Sequence, residues 1–144
     1  VKVVEEPLGG RRDEGTMTHV FGEDAVRVGQ HTLVVAQARV NAAGVAPSRI
    51  ALDPGIGFGK SVEHNLDLLR RQKELLDLGL PLLVGWSRKS TLGAITGRPV
   101  PDRLAASLAA ALAAVQNGAR IIRVHDVADT VDALRLWRRA GLGE

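Results

Sequence analysis

At 144 residues, with 45% hydrophobic and 24% charged content, the chain is long enough to bury one hydrophobic core and has the composition of a soluble globular domain. The net charge of +3 is spread among acidic neighbours and the chain has no Tyr, two Phe and two Trp, so neither a cationic stripe nor a base-stacking surface is present and nucleic acid is excluded as a partner. The absence of Cys excludes disulfides and thiolate metal sites and agrees with a reducing, cytoplasmic setting. No apolar run reaches the ~18 residues of a membrane span, and Glu5 and Glu6 fall where an export signal would be apolar.

In chain order, Val1-Lys2-Val3-Val4 reads as a strand and Gly9 to Gly15 as an exposed loop. Gly22 to Ala43 reads as a helix stopped by Gly44. Arg49-Ile50-Ala51-Leu52 is a short apolar strand that delivers the chain into the glycine-rich Asp53 to Lys60. A helix follows from His64 to Leu78, its apolar face built on Leu66, Leu69, Lys73 and Leu76 with Leu68 and Leu75 beside them. Pro81 to Gly85 is a second strand, ending in Trp86-Ser87-Arg88-Lys89-Ser90, and a short helix spans Thr91 to Thr96. Asp102 is placed to cap an Ala-rich, buried helix running to Asn117. Arg120 to Val124 is the third strand, followed by His125-Asp126 and a helix from Asp129 to Ala140.

Strand and helix thus alternate three times, which predicts an α/β fold of parallel βαβ units. The right-handed crossover rule then places every strand's C-terminal end on one side of the sheet, where Asp53, Ser87 to Lys89, and Arg123 with His125 converge. Each cluster also has a plainer reading. Gly55, Gly57 and Gly59 lack dinucleotide or P-loop spacing, and the loop is equally served by a tight turn in which Asp53 holds loop amides. Ser87-Arg88-Lys89 could hold a carboxylate, carbonyl or phosphate, or be a solvated basic loop. Arg123 and His125, two apart on a strand, share a face suited to a diphosphate; alternatively His125 pairs with Asp126 while Arg123 packs on a neighbouring carboxylate. His19, His31 and His64 show no metal-ligand spacing and read as exposed or capping residues, and Trp86 and Trp137 read as packing residues.

The three motifs together, Asp53-Pro54-Gly55-Ile56-Gly57-Phe58-Gly59-Lys60, Ser87-Arg88-Lys89 after Val84-Gly85, and Arg123-Val124-His125-Asp126, resemble the dihydropteroate synthase family from about Ala43 to Gly141, roughly two-thirds of the chain. The resemblance implies the C-terminal portion of a (β/α)8 TIM barrel, with three or four parallel strands in a single partial pterin-binding domain over 1–144. It implies condensation of p-aminobenzoate with hydroxymethyl-dihydropterin pyrophosphate to dihydropteroate, with release of pyrophosphate, in folate biosynthesis. Lys89, Arg123 and His125 would be catalytic. Asp53 would bond the pterin ring, Gly85 would give close backbone contact, and Lys89 would meet the pterin carbonyl. Phe58 and Ser87 would shape the p-aminobenzoate side, and Arg123 with His125 would bind the pyrophosphate. Mg²⁺ would assist the leaving group, without identified ligands in this chain. The resemblance further implies small-molecule substrates, sulfonamides among the ligands, and a dimeric homo-oligomer. The family's first-half loops have no counterpart here, so the chain alone is expected to be incomplete. An inactive pterin-binding homologue and a pterin-dependent methyltransferase are the alternatives.

Overall fold

The computed structural model describes residues 2–5, 33, 34, 36, 38 and 40–142, for 2–5 the backbone only. The expected loop at Gly9 to Gly15, His19, His31 and most of the Gly22 to Ala43 helix lie outside the described residues. Within that last segment, 33, 34, 36, 38 and 40–42 are helical, and Gly44 follows at φ +79°, a conformation that glycine adopts without penalty at a helix end.

Among the described residues three strands form one parallel sheet: β1 (Lys2–Glu5), β2 (Leu83–Val84) and β3 (Ile121–Val124), in the order β1-β3-β2. Register pairs Val4 with Arg123 and Glu5 with Val124 on one side of β3, and Leu83 with Ile121 and Val84 with Ile122 on the other. Beyond β2, Leu52 makes an isolated parallel bridge to Leu82, with Leu83 N–H donating to the Leu52 carbonyl at 2.8 Å. The expected strand at Arg49 to Leu52 is reduced to that bridge, because Pro47–Arg49 closes into a 3-10 turn just before it.

Further along the chain, the α-helices α1 (Val62–Arg70), α2 (Ser90–Thr96), α3 (Leu104–Gln116) and α4 (Val127–Arg139) connect and cover the strands. The core comprises Leu52, Ile56, Leu68, Leu75, Leu82, Val84, Trp86, Ile122, Val124 and the inner alanines of α3. Burying one Leu, Ile or Val stabilises by roughly 1.5–3 kcal/mol, so this layer of branched side chains holds the strands together. Along β3, Ile122 and Val124 are buried while Ile121 and Arg123 are only partly so, the two-residue alternation that puts Arg123 and His125 on one face.

Three predicted details differ. The helix expected to reach Leu78 ends at Arg70 and tightens into a 3-10 segment, Gln72–Leu78. The Asn117 side chain donates to the Leu69 carbonyl at 2.7 Å, and the Gln72 side chain donates to the carbonyls of Ala114 and Asn117 at 2.8 and 3.0 Å. The Asn117 bond takes the Leu69 carbonyl that a longer α-helix would use, while the Gln72 side chain ties the tightened segment to the end of α3. The buried face is consequently Asn65, Leu68, Gln72 and Leu75, while Leu76 is 38% exposed. Asp102 does not cap α3; it lies in the 3-10 turn Val100–Asp102, and Arg103 occupies the cap position. Finally, α3 buries only the face with Ser107, Ala110, Ala111, Ala114 and Val115.

Candidate functional site

The polar loops lie where β2, β3 and the Leu52 segment end. In the first, Pro54 and Ile56 are buried, and Gly55, Gly57 and Gly59 alternate with them at φ +68°, +79° and +61°. Gly57 requires its lack of a side chain: a Cβ there would approach Lys89 Cδ to 2.9 Å. Asp53 Oδ1 accepts the Gly55 N–H at 2.8 Å, and the Lys60 ammonium donates to the Gly55 and Phe58 carbonyls at 2.9 and 3.3 Å. Burial lowers the Lys60 pKa from its ordinary value, with the nearby Asp53 charge opposing.

Asn65 supports this loop from below. It is 1% exposed, accepts the Gly57 N–H at 2.9 Å, and donates to the Ser61 carbonyl at 2.8 Å and to Thr91 Oγ1 at 3.1 Å. It therefore fastens the glycine loop to the first turn of α2, directly after Ser87-Arg88-Lys89.

The second and third loops meet the first through side chains. Arg123 Nη1 reaches Asp53 Oδ2 at 3.0 Å, bridging β3 and the glycine loop. Gly85 lies beneath that guanidinium; a Cβ there would be 3.1 Å from Nη2. Ser87 Oγ accepts the His125 N–H at 3.2 Å and lies 3.0 Å from His125 Nδ1. The Ser87 hydroxyl therefore joins the second loop to both the backbone and the ring of His125. Lys89 Nζ stands 4.1 Å from the centre of the Phe58 ring, which is 59% exposed.

All seven predicted site residues thus fall into three contacting groups: Asp53, Gly85 and Arg123; Ser87 and His125; Phe58 and Lys89. Two details depart from expectation. Ser87, placed by the sequence reading on the p-aminobenzoate side, is 2% exposed with its hydroxyl engaged by His125. Asp126 pairs with Arg88, at 2.5 and 3.2 Å, so one of the two cations of the triplet is turned to the neighbouring loop. Asn65, Thr91, Ser107 and Arg103 were not singled out from sequence; for Asn65 the available signal was a polar residue in register with Leu68 and Leu75. Among the described residues no three His, Asp or Glu side chains gather, so these residues supply no protein cage for Mg²⁺.

A model of the pterin binding enzyme family matches residues 9–125. The chain belongs to that family. Pterin-binding enzymes similar to it include the dihydropteroate synthase of Neisseria meningitidis serogroup B, 48% identical over 124 residues, which are 83% of this chain and 44% of that protein. The crystal structure of dihydropteroate synthase from Stenotrophomonas maltophilia, with imidazole bound in its active site, matches with a TM-score of 0.85 and 44% identity over 96% of this chain and 52% of its own. The Xanthomonas albilineans dihydropteroate synthase in complex with 7,8-dihydropteroate matches with a TM-score of 0.83 and 39% identity, covering 96% of this chain and 50% of that one. The chain spans about half the length of these relatives. Its three strands and covering helices are therefore a portion of the family's barrel.

Proposed function

We propose that this chain supplies the C-terminal half of a dihydropteroate synthase site, binding hydroxymethyl-dihydropterin pyrophosphate and p-aminobenzoate. The observation that carries the reading is the Asp53–Arg123 contact, which brings a carboxylate and a guanidinium from residues 70 apart in sequence together beside Gly85. Asp53 would accept hydrogen bonds from the pterin ring, and Lys89 would donate to the pterin carbonyl. Arg123 and His125 would hold the diphosphate. Phe58 and the stem of Lys89 would border the aryl amine.

The chemistry asks little of a protein nucleophile. The carbon–oxygen bond to the diphosphate breaks, the electron-rich pterin delocalises the resulting positive charge, and the amine nitrogen forms the new carbon–nitrogen bond and loses a proton. The chain's part is to orient the two reactants and to stabilise the departing negative charge. Mg²⁺, when bound, would neutralise diphosphate charge. At 24% and 33% side-chain exposure, Arg123 and Asp53 form a pair worth on the order of 1 kcal/mol, weak enough for a ligand to take over both partners. A cytoplasmic homo-oligomer is part of the same proposal.

Calorimetric titration of the purified chain with the pterin pyrophosphate, followed by addition of p-aminobenzoate, tests the reading. Saturable binding supports it; absence of binding overturns it. Binding without product would identify a pterin-binding module, the second reading. Dihydropteroate formation would show that these residues suffice.

A further inference from the structure

Between Ser87, which reaches His125, and Lys89, which lies over Phe58, stands Arg88 at φ +58°, the one non-glycine positive φ among the described residues. A left-handed conformation costs a residue with a Cβ roughly 1–2 kcal/mol and persists where its surroundings impose it. The surroundings are specific. The Arg88 N–H donates to Ser107 Oγ at 3.0 Å, and the Ser107 hydroxyl donates to the Arg103 carbonyl at 2.7 Å. Arg103 Nη1 donates in turn to the carbonyls of Arg88 and Lys89 at 3.0 and 3.3 Å. Arg103 can lie there because Gly93 has no side chain: a Cβ at Gly93 would overlap the guanidinium.

The Arg88 side chain extends to the third loop. Its Nη2 and Nε donate to the two oxygens of Asp126 at 2.5 and 3.2 Å, a two-pronged contact with 30% and 18% side-chain exposure. Asp126 holds the N-cap position of α4, yet its side chain makes no cap hydrogen bond; its carboxylate serves Arg88. It directly follows His125. Hydrogen bonding to Asp126 raises the Arg88 pKa above its ordinary value, which fits a well-formed pair.

We propose that Arg88 and Asp126 are positioning residues: their ion pair, with the left-handed turn enforced by Ser107 and Arg103, couples the Lys89 loop to the His125 strand end. The two loops then hold one mutual geometry, so the cation expected at the pterin carbonyl and the imidazole expected at the diphosphate stay at a fixed separation. The functional meaning rests on the proposed pterin pyrophosphate reading; the mechanical coupling does not.

The test compares the ¹⁵N-labelled full chain with Arg88→Asn, Asp126→Asn, the double variant and Arg88→Lys. Asn tolerates the left-handed turn, and at position 126 it retains capping ability, so each change removes the pair while sparing the backbone. Either single variant is expected to speed amide exchange at both Lys89 and His125 about tenfold and to move the His125 ring nitrogen resonances, the double variant adding nothing further. Arg88→Lys should restore part of the protection, since it keeps the charge without the fork. Effects confined to the mutated loop, or effects that add in the double variant, would overturn the proposal; urea titration identifies any variant that has lost global stability, and the other single variant then decides. Inorganic pyrophosphate binding is measured in the same set. A tenfold loss in both single variants extends the coupling to the ligand, whereas no binding by the wild type removes the pterin pyrophosphate reading and leaves the exchange result to judge the coupling alone.

Discussion

Replacing Asn65 by Ala isolates the contact that holds the glycine loop against α2. The change deletes the acceptor of the Gly57 N–H and the donors to Ser61 O and Thr91 Oγ1, in a position that is 1% exposed. The Ser61 carbonyl keeps its bond from the Asn65 backbone N–H, so the Gly57 amide and the Thr91 hydroxyl lose partners at 2.9 and 3.1 Å, and the Lys60 carbonyl loses a weaker one at 3.4 Å. At about 1–2 kcal/mol for each such buried group, with a small cavity added, the loss is about 3 kcal/mol. Thr91→Val breaks only one of these bonds and should cost about 1 kcal/mol, with a coupling of similar size in the double-mutant cycle. Urea unfolding with an unchanged m-value is the assay. A loss below about 1 kcal/mol for Asn65→Ala would show that this network does not hold the loop.

Other perturbations bear on the same loops. Gly57→Ala forces an L side chain into φ +79° and against Lys89 Cδ, so it should destabilise by about 1–2 kcal/mol and weaken pterin pyrophosphate binding through the displaced Lys89, as urea unfolding and calorimetry would show. Because burial lowers the Lys60 pKa, the folded chain holds that proton less tightly than the unfolded chain, and the protonated lysine opposes folding below its folded pKa. The unfolding free energy of wild type minus that of Lys60→Met should therefore rise with pH in the window below the ordinary value of 10.5, and a flat difference there would contradict the shift. Gly118→Ala, at φ +92° with Leu76 Cδ1 only 2.6 Å from the new Cβ, should destabilise the junction of α3 with the 3-10 segment by about 1–3 kcal/mol, read from the urea midpoint.

The alternation of short apolar strands with helices was legible because helix-covered parallel strands leave continuous apolar runs such as Leu82-Leu83-Val84 and Ile121-Ile122, of which Leu82, Val84 and Ile122 are buried. The common side of the sheet followed from chain handedness, and Asp53 meets Arg123 there across 70 residues. The plainer readings of two clusters also describe the structure in part: Asp53 holds the Gly55 amide while facing Arg123, and Arg123 does pack on a neighbouring carboxylate. What could not be read depends on contacts between distant segments. Leu66 and Leu69 looked like the buried face, yet Asn65 and Gln72 are the more deeply buried residues, because each satisfies backbone groups of another segment. The pairing of Asp126 with Arg88 was equally hidden, since local spacing offers His125 or a helix cap as nearer partners.

The central claim is that the three strand-end loops form one binding site for a pterin diphosphate. Calorimetric titration of hydroxymethyl-dihydropterin pyrophosphate into the wild-type chain, Asp53→Asn and Arg123→Gln tests it most directly. Saturable wild-type binding that weakens at least about tenfold in each variant, the value of one lost charge-assisted contact, is the predicted result. Absence of wild-type binding, or binding that is indifferent to both substitutions, would contradict it.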